Sequence, residues 1–285
     1  MIFHHIVKRL IIFFGLFVLI GRAESAFELT GGGVISMSMG GAGCGWIIPS
    51  EALMSNPAVS AFLPDASLSL NHRRMFNLKE LQQSALAVNM SIGKFPIVLK
   101  AFNFGDDLYR ESAAGAGSAL LIYHNLAVGL QAEIYHLNIK NNSSAFSYGI
   151  NAGILWRINE RLSWGAAASN VNLPKIGQCR EKLPVSVCAG LSYHPLEWVN
   201  FCLDYYQDDM FPSEIRGGME FLGLKNPVLR IGYSDQPASF SAGFDVDVKF
   251  FRMAYAFKSH NQLGFTHSLG LIIGLTGRRN RNEAD

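Results

Sequence analysis

The sequence predicts an all-β protein, a transmembrane antiparallel β-barrel of about fourteen strands with an N-terminal hatch in its lumen. Three observations predict it. Apolar side chains alternate with polar or tiny ones in nearly every window of about ten residues after residue 65. The apolar parity carries almost no charge, and beyond the first residues no stretch of 18 or more apolar residues offers a membrane helix instead. Phe146, Tyr148, Ile150, Ala152, Ile154 and Trp156 show the pattern, with Ser147, Gly149, Asn151, Gly153, Leu155 and Arg157 between them. Successive strand side chains point to opposite faces, so one face suits lipid and the other a hydrated or small-residue interior. A soluble sandwich would alternate too, with its apolar side in the core. Recurrence along the whole chain without helices favours the membrane barrel.

The chain opens with Lys8 and Arg9, an apolar run from Leu10 to Ile20, and Ala23-Glu24-Ser25-Ala26. A basic start, an apolar run too short to span a bilayer and small residues before the cut mark residues 1–25 as a signal peptide cleaved ahead of Ala26. Residues 26–64 hold Gly31-Gly32-Gly33, Gly40-Gly41-Ala42-Gly43-Cys44-Gly45-Trp46 and Ser55-Asn56-Pro57-Ala58. No Gly-Lys-Ser/Thr follows, which excludes a phosphate loop. Packed glycines without a strand period suit a hatch that folds compactly inside the lumen.

Residues 65–276 form the barrel, with strands beginning near Asp65, Ser84, Phe95, Gly115, Leu126, Phe146, Arg161, Leu183, Trp198, Glu214, Pro227, Ala238, Lys249 and Thr266. That leaves roughly 15 residues for each strand and its connector, against about 9–11 for a tilted span, so most connectors must be short turns. Gly105-Asp106-Asp107, Asn141-Asn142, Asn159-Glu160, Asp208-Asp209 and Asp235-Gln236-Pro237 supply the turn chemistry. Residues 277–285 are a polar tail whose Arg278-Arg279-Asn280-Arg281 reads as a solvated end. A hydrophobic fraction of 49%, a charged fraction of 16% and 28 glycines fit lipid-facing strands around a crowded interior. A net charge of +2 gives no footing for a nucleic-acid partner.

Parity through the last strands places Ile215, Met219, Phe221, Leu229, Ile231, Tyr233, Phe240, Phe244, Met253 and Tyr255 outward. Arg216, Glu220, Arg230, Asp245, Asp247 and Arg252 then form a lumen ladder of mixed sign. These charges either satisfy one another across strands or line a substrate path. Arginine is expected to be far less tolerated at outward Ile231 or Tyr255 than at inward Ser241 or Ser268.

Catalysis is not expected. His267 and Ser268 are adjacent on a strand, so their side chains diverge and cannot act as base and nucleophile. The histidines do not cluster at metal-ligand spacing, and no cofactor is expected. Cys44, Cys179, Cys188 and Cys202 follow the signal. Cys188 and Cys202 both point inward, and a three-residue turn at His194-Pro195-Leu196 would set them opposite each other. They are either a disulfide or two small lumen residues.

Ser36-Met37-Ser38-Met39-Gly40-Gly41-Ala42 followed by Asn56-Pro57-Ala58 resembles the hatch of the long-chain fatty-acid transporter (FadL-type) outer-membrane superfamily. Arg230-Ile231-Gly232-Tyr233, Ser241-Ala242-Gly243-Phe244 and Thr266 to Leu271 resemble closing strands of its PorV/PorQ-like branch. The chain departs from the family in having Cys44, Trp46 and Pro49 where an acidic pair is usual, and in its hydrophilic end. The resemblance implies a fourteen-stranded barrel in the outer membrane of a Gram-negative-type bacterium. It also implies one of two roles: passage of hydrophobic small molecules, or assistance to secretion machinery in protein export and surface attachment. A structural barrel surrounded by outer-membrane lipid is the third reading.

Candidate ligand-binding residues in the hatch are Met37, Met39, Gly40, Gly41, Trp46, Asn56, Pro57 and Phe62. An apolar pocket beside Met37, Met39, Trp46 and Phe62 would take a hydrophobic compound, since Met adapts to varied apolar shapes. A Gly40-Gly41 hinge would release it toward the periplasm or the wall. The alternative is a permanent stopper that only completes folding.

Overall fold

The computed structural model describes residues 26–27, 32–47, 54–63, 66–93, 95–142, 144–224 and 226–274. The expected signal peptide up to residue 25 and the polar tail lie outside them. The first seven strands are β1 (Ala66–Arg74), β2 (Gln82–Ile92), β3 (Phe95–Gly105), β4 (Tyr109–Tyr123), β5 (Leu126–Ile139), β6 (Ser144–Arg157) and β7 (Leu162–Ser169). After them come β8 (Lys175–Ile176) and β9 (Glu181–Lys182), then β10 (Ser186–Leu196), β11 (Val199–Asp208), β12 (Glu214–Phe221) and β13 (Val228–Asp235). The last are β14 (Ala238–Val248), β15 (Phe251–His260) and β16 (Gly264–Gly274).

Fourteen of these strands close into one antiparallel barrel in chain order, with β7 paired to β10 and β16 to β1. Every barrel strand expected from the alternation is present. The largest displacement is at β4, which begins at Tyr109 instead of near Gly115. Ala113 to Gly117 vary too little in size to show which parity is lipid-facing. The β8–β9 hairpin was not expected, because two-residue strands carry no readable period.

The turns close as their residue types dictate. Asp106 Oδ1 accepts the backbone N–H of Leu108 at 2.8 Å and of Tyr109 at 3.1 Å, which holds its carboxyl below the usual carboxylate range. Asn159 does the same for Arg161 and Leu162, and Asp208 for Met210 and Phe211. The connectors are longer on average at one end, with residues 222–227 and 236–237 as the exceptions on either side. At the end where β1 begins and β16 finishes, residues 93–94, 124–125, 197–198 and 249–250 are two-residue links. The opposite end carries residues 75–81 and the longest connector, 170–185, which holds β8 and β9.

Parity holds around the ring. Ile231 is 55% exposed on the outer face while Arg230 beside it is 4% exposed within. The interior is packed. Val34, Ile35, Met37, Met39, Ala42, Trp46, Ala58 and Val59 of the N-terminal segment form one buried cluster with inward Ala127, Leu155, Cys202, Ala254, Ala256 and Ile272. The core of the molecule is therefore the seam between hatch and wall.

Candidate functional site: the hatch and an apolar cluster

The Met-Gly-Gly-Ala stretch is the end of a short helix. Helix α1 (Val34–Ser38) stops at Met39, and Gly40 and Gly41 follow with φ of +75° and +93°, a conformation glycine adopts freely. Gly40 N–H returns to Met37 O at 3.2 Å and Gly41 N–H to Ser36 O at 2.8 Å, the paired closure of a Schellman cap. Gly40 is also pressed against the wall. A Cβ there would lie 2.5 Å from the Tyr233 carbonyl and 2.9 Å from that of Gly217. Its N–H donates to Ser241 Oγ at 2.9 Å. The expected hinge is a seated cap.

The Asn-Pro-Ala motif is a second cap. Asn56 precedes a 3-10 turn over Pro57–Phe62, with its Oδ1 accepting the Ala58 N–H at 3.0 Å and Pro57 at the first position, where no donor is needed. Asn56 Nδ2 then donates to Cys44 O at 2.9 Å and to Ile154 O on β6 at 3.1 Å. One side chain thus caps the turn, ties the two hatch segments together and fixes both to the wall. Gly153 on β6 leaves the room; a Cβ there would collide with the Asn56 amide.

Asp204 on β11 anchors the middle of the hatch. Its Oδ2 accepts the backbone N–H of Gly43 at 2.7 Å and of Cys44 at 2.8 Å, and Ser163 Oγ donates to Gly45 O at 2.6 Å. Hydrogen bonds to a charged group contribute about 1.5–3 kcal/mol each. Asp204→Ala is therefore expected to free residues 43–47 for cleavage by an added protease while the barrel keeps its compact, unboiled gel position. Unchanged protection in detergent would show that Asp204 does not hold the hatch.

Met37, Met39 and Trp46 are 5%, 0% and 6% exposed and pack into the buried cluster between hatch and wall. Asn56 and Pro57 are buried as well, and Phe62 is half-buried under the Arg157 guanidinium, 4.8 Å from the ring centroid. A cavity of about 670 Å³ lies elsewhere, as a groove across β1–β3 and β15–β16. Outward Leu70, Leu86, Met253, Leu269 and Leu271 line it.

The lumen charges form one chain and one separate pair. Arg230 bonds Glu220 Oε1 through Nη2 at 2.7 Å and Nε at 3.0 Å, and also bonds Asp245. Arg252 Nε reaches Asp245 Oδ2 at 2.9 Å and Asp247 Oδ1 at 2.8 Å. Arg216 stands outside this chain. It pairs with Glu214 Oε2 at 2.6 Å on its own strand and lies 3.6 Å from the Tyr206 ring centroid. A further buried pair, Lys100 with Glu133 at 2.5 Å across β3 and β5, escaped the sequence reading.

That reading also missed an inward-facing apolar cluster, packed around Phe27, at the long-connector end. Phe102 of β3, Ala113 of β4, and Tyr135 and Leu137 of β5 enclose Ala26 and Phe27, with Ile176 and Leu183 of the β8–β9 connector above them. Phe27 and Tyr135 pack with ring centroids 4.9 Å apart and planes tilted by 55°, and Tyr135 donates to Asn170 Oδ1 at 2.8 Å. Ala26 N–H reaches Glu181 Oε1 at 3.2 Å.

Two sequence details resolve differently. The β10–β11 hairpin closes at Leu196 opposite Val199 with an irregularity after Tyr193, not with a turn at His194-Pro195-Leu196. Pro195 falls inside the strand, where it lacks an N–H and produces a bulge. Cys188 consequently faces Tyr206 and Cys202 faces Ser192, so the register separates the expected Cys188–Cys202 pair. His267 points outward to Tyr255 Oη at 2.8 Å while Ser268 is buried inside.

No protein-family model matches the chain, and no curated protein matches its sequence. Solved structures do match its shape. The CymD monoaromatic hydrocarbon channel superposes with a TM-score of 0.64 at 14% identity, over 88% of this chain and 100% of that one. The Ralstonia pickettii toluene transporter TbuX gives 0.60 at 14%, over 87% and 98% of the two chains. A Pseudomonas aeruginosa FadL homologue gives 0.56 at 11%, over 85% and 96%. The fold of this chain is that of the FadL-type hydrocarbon channels.

Proposed function

We propose that the protein sits in the outer membrane and passes small hydrophobic molecules across it. The observation that carries the reading is the apolar cluster inside one mouth of the barrel. A water-filled porin has a polar interior, whereas here Phe102, Tyr135, Leu137, Ile176 and Leu183 gather inside one mouth. Outer-membrane barrels keep their longer connectors outside the cell, and on that rule this apolar cluster faces the exterior. The hydrocarbon and toluene channels that share the fold support the same substrate class.

A straight exit is closed by the hatch, which Asp204, Asn56 and Ser241 hold to the wall. A sideways exit suits the cargo better. Leaving into water would expose apolar surface at about 25 cal/mol per Å², while the groove of about 670 Å³ opens on the lipid face. Between it and the hatch stands Gly270, against which Val34 packs.

The test is uptake of labelled toluene by cells that depend on this barrel. Phe102→Gln with Leu137→Gln is expected to lower uptake about tenfold, the effect of 1.4 kcal/mol, with assembly unchanged on the gel. Unaltered uptake would defeat the proposal. Recovery of secreted proteins on the barrel from cross-linked membranes would then favour a PorV-like secretion accessory.

A further inference from the structure

Cys188 has a thiol neighbour, and it is not Cys202. Cys44, in the middle of the hatch, directs its Sγ to the Cys188 carbonyl at 3.5 Å. Both cysteines are also held at one carboxylate oxygen: Asp204 Oδ2 accepts the Cys44 N–H at 2.8 Å and the Cys188 thiol at 3.6 Å. The backbone around Cys44 lies flush with β7 and β10, since a Cβ on the adjacent Gly45 would be 2.6 Å from the Gly190 carbonyl. Gly190 is the next inward residue after Cys188 on β10, so the hatch passes Cys188 at the closest approach the backbones permit.

We propose that Cys44 and Cys188 are a disulfide site that joins the hatch covalently to the barrel wall in an oxidising compartment. The oxidant is a disulfide-bearing thiol oxidoreductase acting before the barrel closes. Cys44 attacks the donor disulfide, forming a mixed disulfide and releasing one donor thiol. When the hatch seats, the Cys188 thiol gives its proton to the Asp204 carboxylate and the thiolate attacks Cys44 Sγ. The Cys44–Cys188 bond forms, the bond from Cys44 to the donor breaks, and the second donor sulfur leaves as a thiolate that takes up the proton. Two protein thiols are oxidised and one donor disulfide is reduced. Cys202, between Asn200 and Ser192, and the exposed Cys179 stay reduced.

The test uses the full-length protein recovered from cell envelopes. It is denatured before alkylation, so burial cannot protect a thiol, and then digested for mass spectrometry. The expected result is alkylation of Cys179 and Cys202 alone, with the Cys44 and Cys188 peptides joined until reductant is added. Cys202→Ser should leave that link in place, and Cys44→Ser should make Cys188 fully alkylated. Alkylation of all four cysteines in the unreduced protein, or a link joining any other pair, would overturn the proposal.

Discussion

Replacing Arg230 with alanine is expected to cause the largest loss of stability of any single change in the lumen. Its side chain is 2% exposed, between Glu220 at 7% and Asp245 at 1%. Removing it leaves two carboxylates buried together, and Arg252 can answer only Asp245. Breaking a buried pair in this way costs about 3–5 kcal/mol. The effect should appear as a marked fall in the urea midpoint for loss of the compact gel form in detergent. Arg110→Ala is the control, because its partner Asp107 is 90% exposed and such pairs contribute little. Equal midpoints for the two variants would mean that the Arg230 network is not structural.

The next residue along β13 should fail for the opposite reason. Ile231 lies mid-strand on the outer face, beside Met219 and Ala242. An arginine there would meet hydrocarbon at a cost of about 2–4 kcal/mol near the midplane. Ile231→Arg is expected to reduce the folded fraction in the outer membrane severely, while Ile231→Leu leaves it intact. Normal assembly of the arginine variant would reverse the assigned faces. The sequence reading set Ser241 against it as a tolerant inward site, and the structure withdraws that contrast. Ser241 accepts the Gly40 N–H and donates to Ser38 O at 3.3 Å, so an arginine there would unseat the hatch.

The strands were legible because a bilayer imposes a two-residue period on the chain and penalises each violation. The lumen ladder was legible for the same reason. Register was not, since the displacement of Cys188 from Cys202 follows from one proline bulge that parity cannot see. The pairing of Arg216 with Glu214 could have been found: residues two apart on a strand share a face, and their charges are opposite. Helix α1 gave no periodic signal because it has five residues, although the Gly-Gly after it is a C-cap signature. The apolar cluster around Phe27 stayed hidden for a different reason. Phe102 and Leu137 face inward on strands whose outer faces are also apolar, and the residues that cover them come from a hairpin too short to predict.

The route of the hatch around the wall has a consequence for biogenesis. Gly40 is bonded to Ser241, 201 residues further along the chain, and Cys44 to Asp204, 160 further along. This N-terminal segment can therefore be seated only after nearly all the strands it touches exist. Contacts of such long sequence separation form late and slowly. Until then the glycine-rich stretch lies open to aggregation and proteolysis, so in the outer-membrane setting proposed above holding chaperones should matter more to this barrel than to one whose lumen is filled by a loop between neighbouring strands.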